Sequence, residues 1–119
     1  MTNEQIAKVM GWRIDSSKNF FGCIFNSANK FIGTVDEMGT DTPLGFQLAK
    51  LLQVKMVEDG WNVSIHNWKE KFTEFPPKVY FSVEAFNFDI SSKHIFKDAD
   101  TESQALVALF KKIYGVKRG

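Results

Sequence analysis

Apolar residues in this chain follow two periods, one helical and one of strands, and the changes between them mark its elements. The longest helical pattern lies within residues 40–61. Leu44, Leu48, Leu51, Leu52 and Met56 recur at helical spacing, with Lys50, Gln53 and Lys55 on the outward side. Asp41 or Thr42 stands at the N-cap, and Pro43 takes the first helical position, where its missing N–H costs nothing. Asp59 and Gly60 end the pattern. Phe46, Val54 and Val57 widen the apolar stripe past half the circumference. A helix of that girth is expected to be covered on more than one side, as the central and most buried of the fold.

Two shorter helical patterns lie near the ends. Thr2 and Gln5 form a Thr-x-x-Gln capping box ahead of residues 3–11, where Ile6, Val9 and Met10 share a face. Gly11 stops that helix, and Trp12 is expected to turn into the core. Thr101 and Gln104 spell a second capping box. Behind it Ala105, Leu106, Leu109, Phe110 and Ile113 make a narrow stripe that ends at Gly115, with residues 116–119 as a frayed tail.

Between the helices the period changes to two. Trp61, Val63 and Ile65 point one way and Asn62, Ser64 and His66 the other, the mark of a half-buried antiparallel strand. Residues 79–85 alternate again. The bulk then moves to Phe86, Phe88 and Ile90, a change of phase that a bulge near Ala85 would produce. Residues 91–94 read as a turn. Earlier, residues 20–25 and 30–35 read as strands joined by a turn at 26–29, which makes a hairpin. Residues 15–19 and 36–40 read as loops. Residues 69–78 form a polar, aromatic-spiked loop ending in Pro76 and Pro77.

Composition bounds these elements to one domain. A chain of 119 residues with 44% apolar content buries roughly two thirds of its unfolded surface, enough for a core without staples. Cys23 is the single cysteine, so no disulfide closes within the chain, which fits a reducing compartment. The net charge is +1, and that near balance argues against both a DNA-coating protein and an acidic DNA mimic. The first residues lack a basic segment followed by an apolar run, so no signal peptide is expected, and no apolar run approaches the ~20 residues of a membrane span. The expected location is the cytoplasm.

No catalytic or cofactor motif stands above background. His66 lies on a polar strand face and His94 in the expected turn, without metal-ligand spacing; a site joining them with an Asp would depend on the fold. Asp36, Glu37 and Asp41 are expected to cap or to be solvated rather than to hold a cation. Cys23 sits in an apolar strand and is expected to be a buried, inert thiol. Gly22, Gly33, Gly39 and Gly45 are isolated and make no phosphate loop. The candidate interaction residues are His66, Trp68, Lys69, Lys71, Phe72 and Phe75. Aromatics interleaved with basic residues can stack single-stranded nucleic acid, but Glu70 and Glu74 dilute the charge. Exposed aromatics also anchor protein interfaces. Packing of these aromatics on the core is the plainer expectation.

Three segments resemble a family of small bacteriophage and prophage proteins, the phage ABA sandwich domain. Ile6-Ala7-Lys8-Val9-Met10-Gly11-Trp12 resembles the family's opening A-x-K-V-M-G-W. Thr40-Asp41 before the main helix resembles its Thr-Asp. The family's Ala-Trp pair and its later Val and Leu fall here on Gly45, Phe46, Leu48 and Leu52, so the spacing is kept and the pair is replaced. Ala99-Asp100-Thr101 with Ala105-Leu106 resembles its A-D-T cap and following A-I. Residues 13–39 have no clear counterpart. The resemblance implies helices on a small sheet in a phage-encoded protein, and it carries over no catalytic residue.

Pattern and resemblance together lead to an α+β expectation: an α/β/α sandwich with three helices and a mostly antiparallel sheet of four or five strands. The expected function is a non-enzymatic phage or prophage accessory protein that binds a host or phage protein in the host cytoplasm. A defence-system component, including an anti-phage nuclease, is among the candidate partners, and a homodimer is a further candidate. Nucleic acid, membrane, metal and cofactor are not expected. The alternative is a small-molecule or nucleotide binder with weak hydrolase activity, using the polar face around Asn62, Ser64 and His66.

Overall fold

Helix α1 (Asn3–Val9) opens the computed structural model, which describes residues 1–15, 22–69 and 79–115, with Trp68 and Lys69 described through their backbone alone. Strands β1 (Arg13–Ile14), β2 (Cys23–Phe25) and β3 (Phe31–Thr34) follow, then a 3-10 turn at Val35–Glu37 and helix α2 (Pro43–Glu58). Strands β4 (Asn62–Lys69), β5 (Val79–Asn87) and β6 (Ser92–Ala99) precede helix α3 (Glu102–Tyr114). The fold is α+β, and its strands divide into two antiparallel three-stranded sheets, β1-β2-β3 and β4-β5-β6, rather than one of four or five.

The helix punctuation works much as the sequence predicts. Thr2 accepts from the Gln5 N–H while Gln5 Oε1 accepts from the Thr2 N–H, a complete capping box. Thr42 caps α2 by accepting from the Gly45 N–H at 3.0 Å, with Pro43 in the first turn; Asp41 is exposed and does not cap. Thr101 caps α3 through the Gln104 N–H, but Gln104 Oε1 accepts from Asp100 N–H, one residue ahead of the cap. The second box is thus displaced by one position. At the other end of α2, Gly60 adopts φ +95, which lets Trp61 N–H close back onto Met56 C=O at 3.0 Å. That turn drives Trp61 into the core, where its ring packs at a tilt against His94.

Helix α2 lies against α3, β3 and β4, and so joins the two sheets. It buries Gly45, Leu48, Ala49, Leu52 and Met56. Phe46, Val54 and Val57 are exposed, however, so α2 is covered on one side and not on more. The more deeply buried helix is α3, with Ser103, Ala105, Leu106, Val107, Leu109 and Phe110 all interior. It lies over β5 and β6 as well as α2, and its narrow stripe is fully used. In α1, Ile6 and Ala7 are buried, Val9 is exposed, and Trp12 packs half-buried against the core.

Two strand expectations are corrected. The phase of β5 never changes: Val83, Ala85 and Asn87 are all buried on one face, with no irregularity at Ala85. The register shift lies instead between Phe81 and Val83, against β6. Residues 92–94 are not a turn but the start of β6, and the chain reverses one step earlier, through residues 88–91. The 26–29 turn is as expected, with Asn26 Oδ1 accepting from the N–H groups of Ala28 and Lys30. Of the strand expected over 20–25, Phe20 and Phe21 lie outside the described residues, as do residues 70–78 and the tail 116–119. Among the described residues no helix is long and apolar enough to cross a membrane.

Candidate functional site

Among the described residues, the β4-β5-β6 sheet has one face against the helices and one left open. Val63 and Ile65 of β4, Phe81, Val83 and Ala85 of β5, and Phe96 and Ala99 of β6 belong to the core. Pairing puts the remaining residues together on the far side. Asn62 is opposite Phe86, Ser64 opposite Glu84, and His66 opposite Ser82. Across the next pair, Glu84 is opposite Ile95 and Phe86 opposite Lys93. Asn62, Ser64, His66 and Lys93 are exposed, as their alternation requires. Asn62 Nδ2 donates to Phe86 C=O at 3.3 Å, and Lys93 pairs with Glu84 at 3.3 Å.

Toward the β5–β6 turn this face becomes apolar. Phe86 meets Phe88 edge-on at 4.5 Å between ring centroids. Phe88 is 73% exposed and Ile90 64%, the highest values among the large apolar side chains of the described residues. The turn that presents them is pinned from behind by Asn87, a buried polar residue on the covered face. Asn87 Oδ1 accepts from Asp89 N–H at 3.0 Å, while Nδ2 donates to Asp59 C=O at the end of α2. This side-chain-closed turn uses the usual Asx chemistry. It satisfies the buried amide and fixes the tip, which ends with Ser91 at φ 48.

Of the six candidate residues taken from sequence, only His66 can be placed with its side chain. It projects from the open face. Trp68 and Lys69 complete β4, with backbones opposite Tyr80 and Val79. Lys71, Phe72 and Phe75 lie outside the described residues. Sequence reading missed Phe88 and Ile90, which it took for strand bulk. The available signal was Asn87-Phe88-Asp89 followed by Ser91-Ser92, a run of turn-forming residues around two apolar ones.

The remaining chemical candidates are dispersed. His94 is opposite Ala85 on the covered face, whereas His66 is opposite Ser82 on the open face, so the sheet stands between the two imidazoles. Among the described residues no three His, Cys, Asp or Glu side chains gather to hold a metal ion. Cys23 is half-buried rather than buried, opposite Thr34. Glu37 is engaged in helix capping, its carboxylate accepting from the Thr34 and Thr42 hydroxyls. At the far end of α3, Tyr114 O–H donates to the Asp59 carboxylate. Burial, and then the Asp59 hydrogen bond and charge, push the Tyr114 phenol well above its ordinary value. The described residues line a cavity of about 330 Å³ beside α1, with Glu4, Asp15 and Asp36 in its wall, and another of similar volume under Phe96 and Gln104. Neither includes Asn62, Ser64 or His66.

Comparison with protein-family models, with curated proteins and with solved structures finds no match to this chain.

Proposed function

We propose that this chain acts by binding another protein without catalysis, through the β5–β6 turn and the open sheet face beside it. The observation that supports this is the presentation of Phe88 and Ile90. Two large apolar side chains stand in water on a turn whose backbone is tied down by Asn87. Burying each against a partner would contribute about 1.5–3 kcal/mol. Because the turn is pre-formed, little of that gain is spent on ordering it. Anchors of this kind, ringed by polar groups such as Lys93, Glu84 and Asn62, form the centres of protein interfaces.

The setting in this reading comes from the resemblance to the phage ABA sandwich proteins. It makes the chain a phage or prophage accessory protein in the host cytoplasm, its partner a host or phage protein such as a defence-system component. The helices and sheets would then form the α/β/α layers of that family. The test is capture of a partner in stoichiometric amount from host lysate by the immobilised protein, compared with Phe88→Ser/Ile90→Ser. The double variant should lose the partner and keep its circular dichroism and melting temperature. Equal capture by both proteins would refute the assignment. No captured protein, together with a melting shift on adding a nucleotide, would favour a small-molecule site on the polar row of Asn62, Ser64 and His66.

A further inference from the structure

The two outer edges of the β4-β5-β6 sheet are finished in opposite ways. At the β6 edge, Lys112 of α3 reaches over the Phe96 ring and donates to Ile95 C=O at 2.6 Å. Asp98 adopts φ 65, and the pairing with β5 is irregular between Phe81 and Val83. Lys93, Lys97 and Asp98 add charge along the strand. A lysine cap, a twist-inducing irregularity and charge are the devices that keep an edge strand from pairing with another chain.

Strand β4 carries only one of these, the charge of Lys69 at its last position. Its register with β5 runs from Asn62 opposite Phe86 to Lys69 opposite Val79 without a shift. Residues 62–68 contain no Lys, Arg, Asp, Glu, Pro or Gly. None of them has a positive φ. Among the described residues, β5 is the only strand paired with β4. The first sheet offers no comparable edge, since β1 has two residues and β3 four.

We infer that a second copy of this chain pairs antiparallel along the β4 edge, joining three strands from each copy into one sheet about a two-fold axis. A second copy is favoured because β4 is complementary to itself. Antiparallel pairing requires opposed residues to share a face. With Ile65 on the axis, Ile65 meets its own copy on the apolar side, Val63 lies opposite Asn67, and Ser64 lies opposite His66 on the open side. No like charges face one another, and the hydroxyl and imidazole are a hydrogen-bonding pair. Phe88 and Ile90 are at the β5–β6 turn, away from this edge, so the inference stands independently of the proposed binding surface.

Light scattering across a dilution series tests the assembly. The mass should rise to twice the 13.6 kDa of the chain as concentration increases. Ser64 and His66 are exposed, so both can be changed without disturbing the core. Ser64→Lys/His66→Lys places like charges directly opposite across the axis and should leave a monomer with unchanged circular dichroism and melting temperature. In a Cys23→Ser background, Ser64→Cys/His66→Cys should oxidise to a covalent dimer. Directly opposed β-carbons are about 4.5–5.5 Å apart, within reach of a disulfide after slight adjustment. Ser64→Cys alone sets the two thiols on a diagonal and should cross-link far less. A wild-type protein still monomeric at about 100 μM would overturn the inference, because even a small specific interface associates by then. So would a lysine variant that remains dimeric, or a dimer in which the paired cysteines fail to cross-link. Phe88→Ser/Ile90→Ser should leave the dimer intact, which separates this test from that of the partner surface.

Discussion

Gly45→Ala should destabilise this protein although it replaces glycine by alanine inside a helix. On propensity alone the change would contribute up to about 1 kcal/mol of stability. The surroundings of Gly45 reverse the sign. A β-carbon there would lie 2.4 Å from Glu37 C=O, 2.5 Å from Thr40 Oγ1 and 2.6 Å from Thr40 C=O. Two of these atoms are backbone and cannot rotate away. The loop that carries them is itself tied down: Thr40 donates to Glu37 C=O from both its N–H, at 3.0 Å, and its hydroxyl, at 2.6 Å. Thr42, which caps the helix through the Gly45 N–H, also contacts Thr40 and the Glu37 carboxylate. To admit a methyl group, the loop must retreat and loosen about two hydrogen bonds at about 1 kcal/mol each. Overpacking adds about 1–3 kcal/mol. Less the helical gain, the net loss is about 2–4 kcal/mol, or roughly 8–16 °C in melting temperature for a domain of this size. Urea and thermal unfolding followed by circular dichroism would measure it, with Gln53→Ala on the same helix as a control expected to change stability by under about 0.5 kcal/mol. A Gly45→Ala protein as stable as the wild type would refute the reasoning.

Thr101→Ala removes the oxygen that accepts from Gln104 N–H, and should cost about 1 kcal/mol in urea unfolding. Tyr114 gives a pH dependence: its folded-state pKa is raised, chiefly by burial and then by Asp59, so the folded protein holds the phenolic proton more tightly than the unfolded chain. That contribution is complete below about pH 10, the ordinary tyrosine value, and is lost as pH rises toward the folded-state pKa. Urea midpoints should therefore fall above about pH 10 in the wild type and fall less steeply in Tyr114→Phe. Equal slopes would show that Tyr114 is not the group responsible.

Local rules made the helices legible. Thr2, Thr42 and Thr101 each accept the hydrogen bond that a capping residue should, and Pro43 and Gly60 sit where a helix begins and ends. Those features depend on neighbours three or four residues away, which sequence displays directly. The alternation through Trp61, Val63 and Ile65 was equally plain, because a strand half in water writes its two faces in order. Strand β6 was not legible. Its sequence, Ser-Lys-His-Ile-Phe-Lys-Asp-Ala, is largely polar, and it becomes a strand because β5 pairs with it and α3 covers it. Phe88 and Ile90 misled for the related reason that apolar character normally signals burial, and here it marks a presented surface.

The sequence by itself determined where the three helices start and stop and which side of β4 is wet, because those are short-range hydrogen-bonding and periodicity effects. Only the tertiary structure decided how the strands divide into two sheets, with α2 packed against both and α3 more deeply buried. It also decided that His66 and His94 lie on opposite faces, and that Gly45 must lack a side chain. Each of these depends on contacts between segments far apart in the chain, where pairing partner and packing distance outweigh local preference.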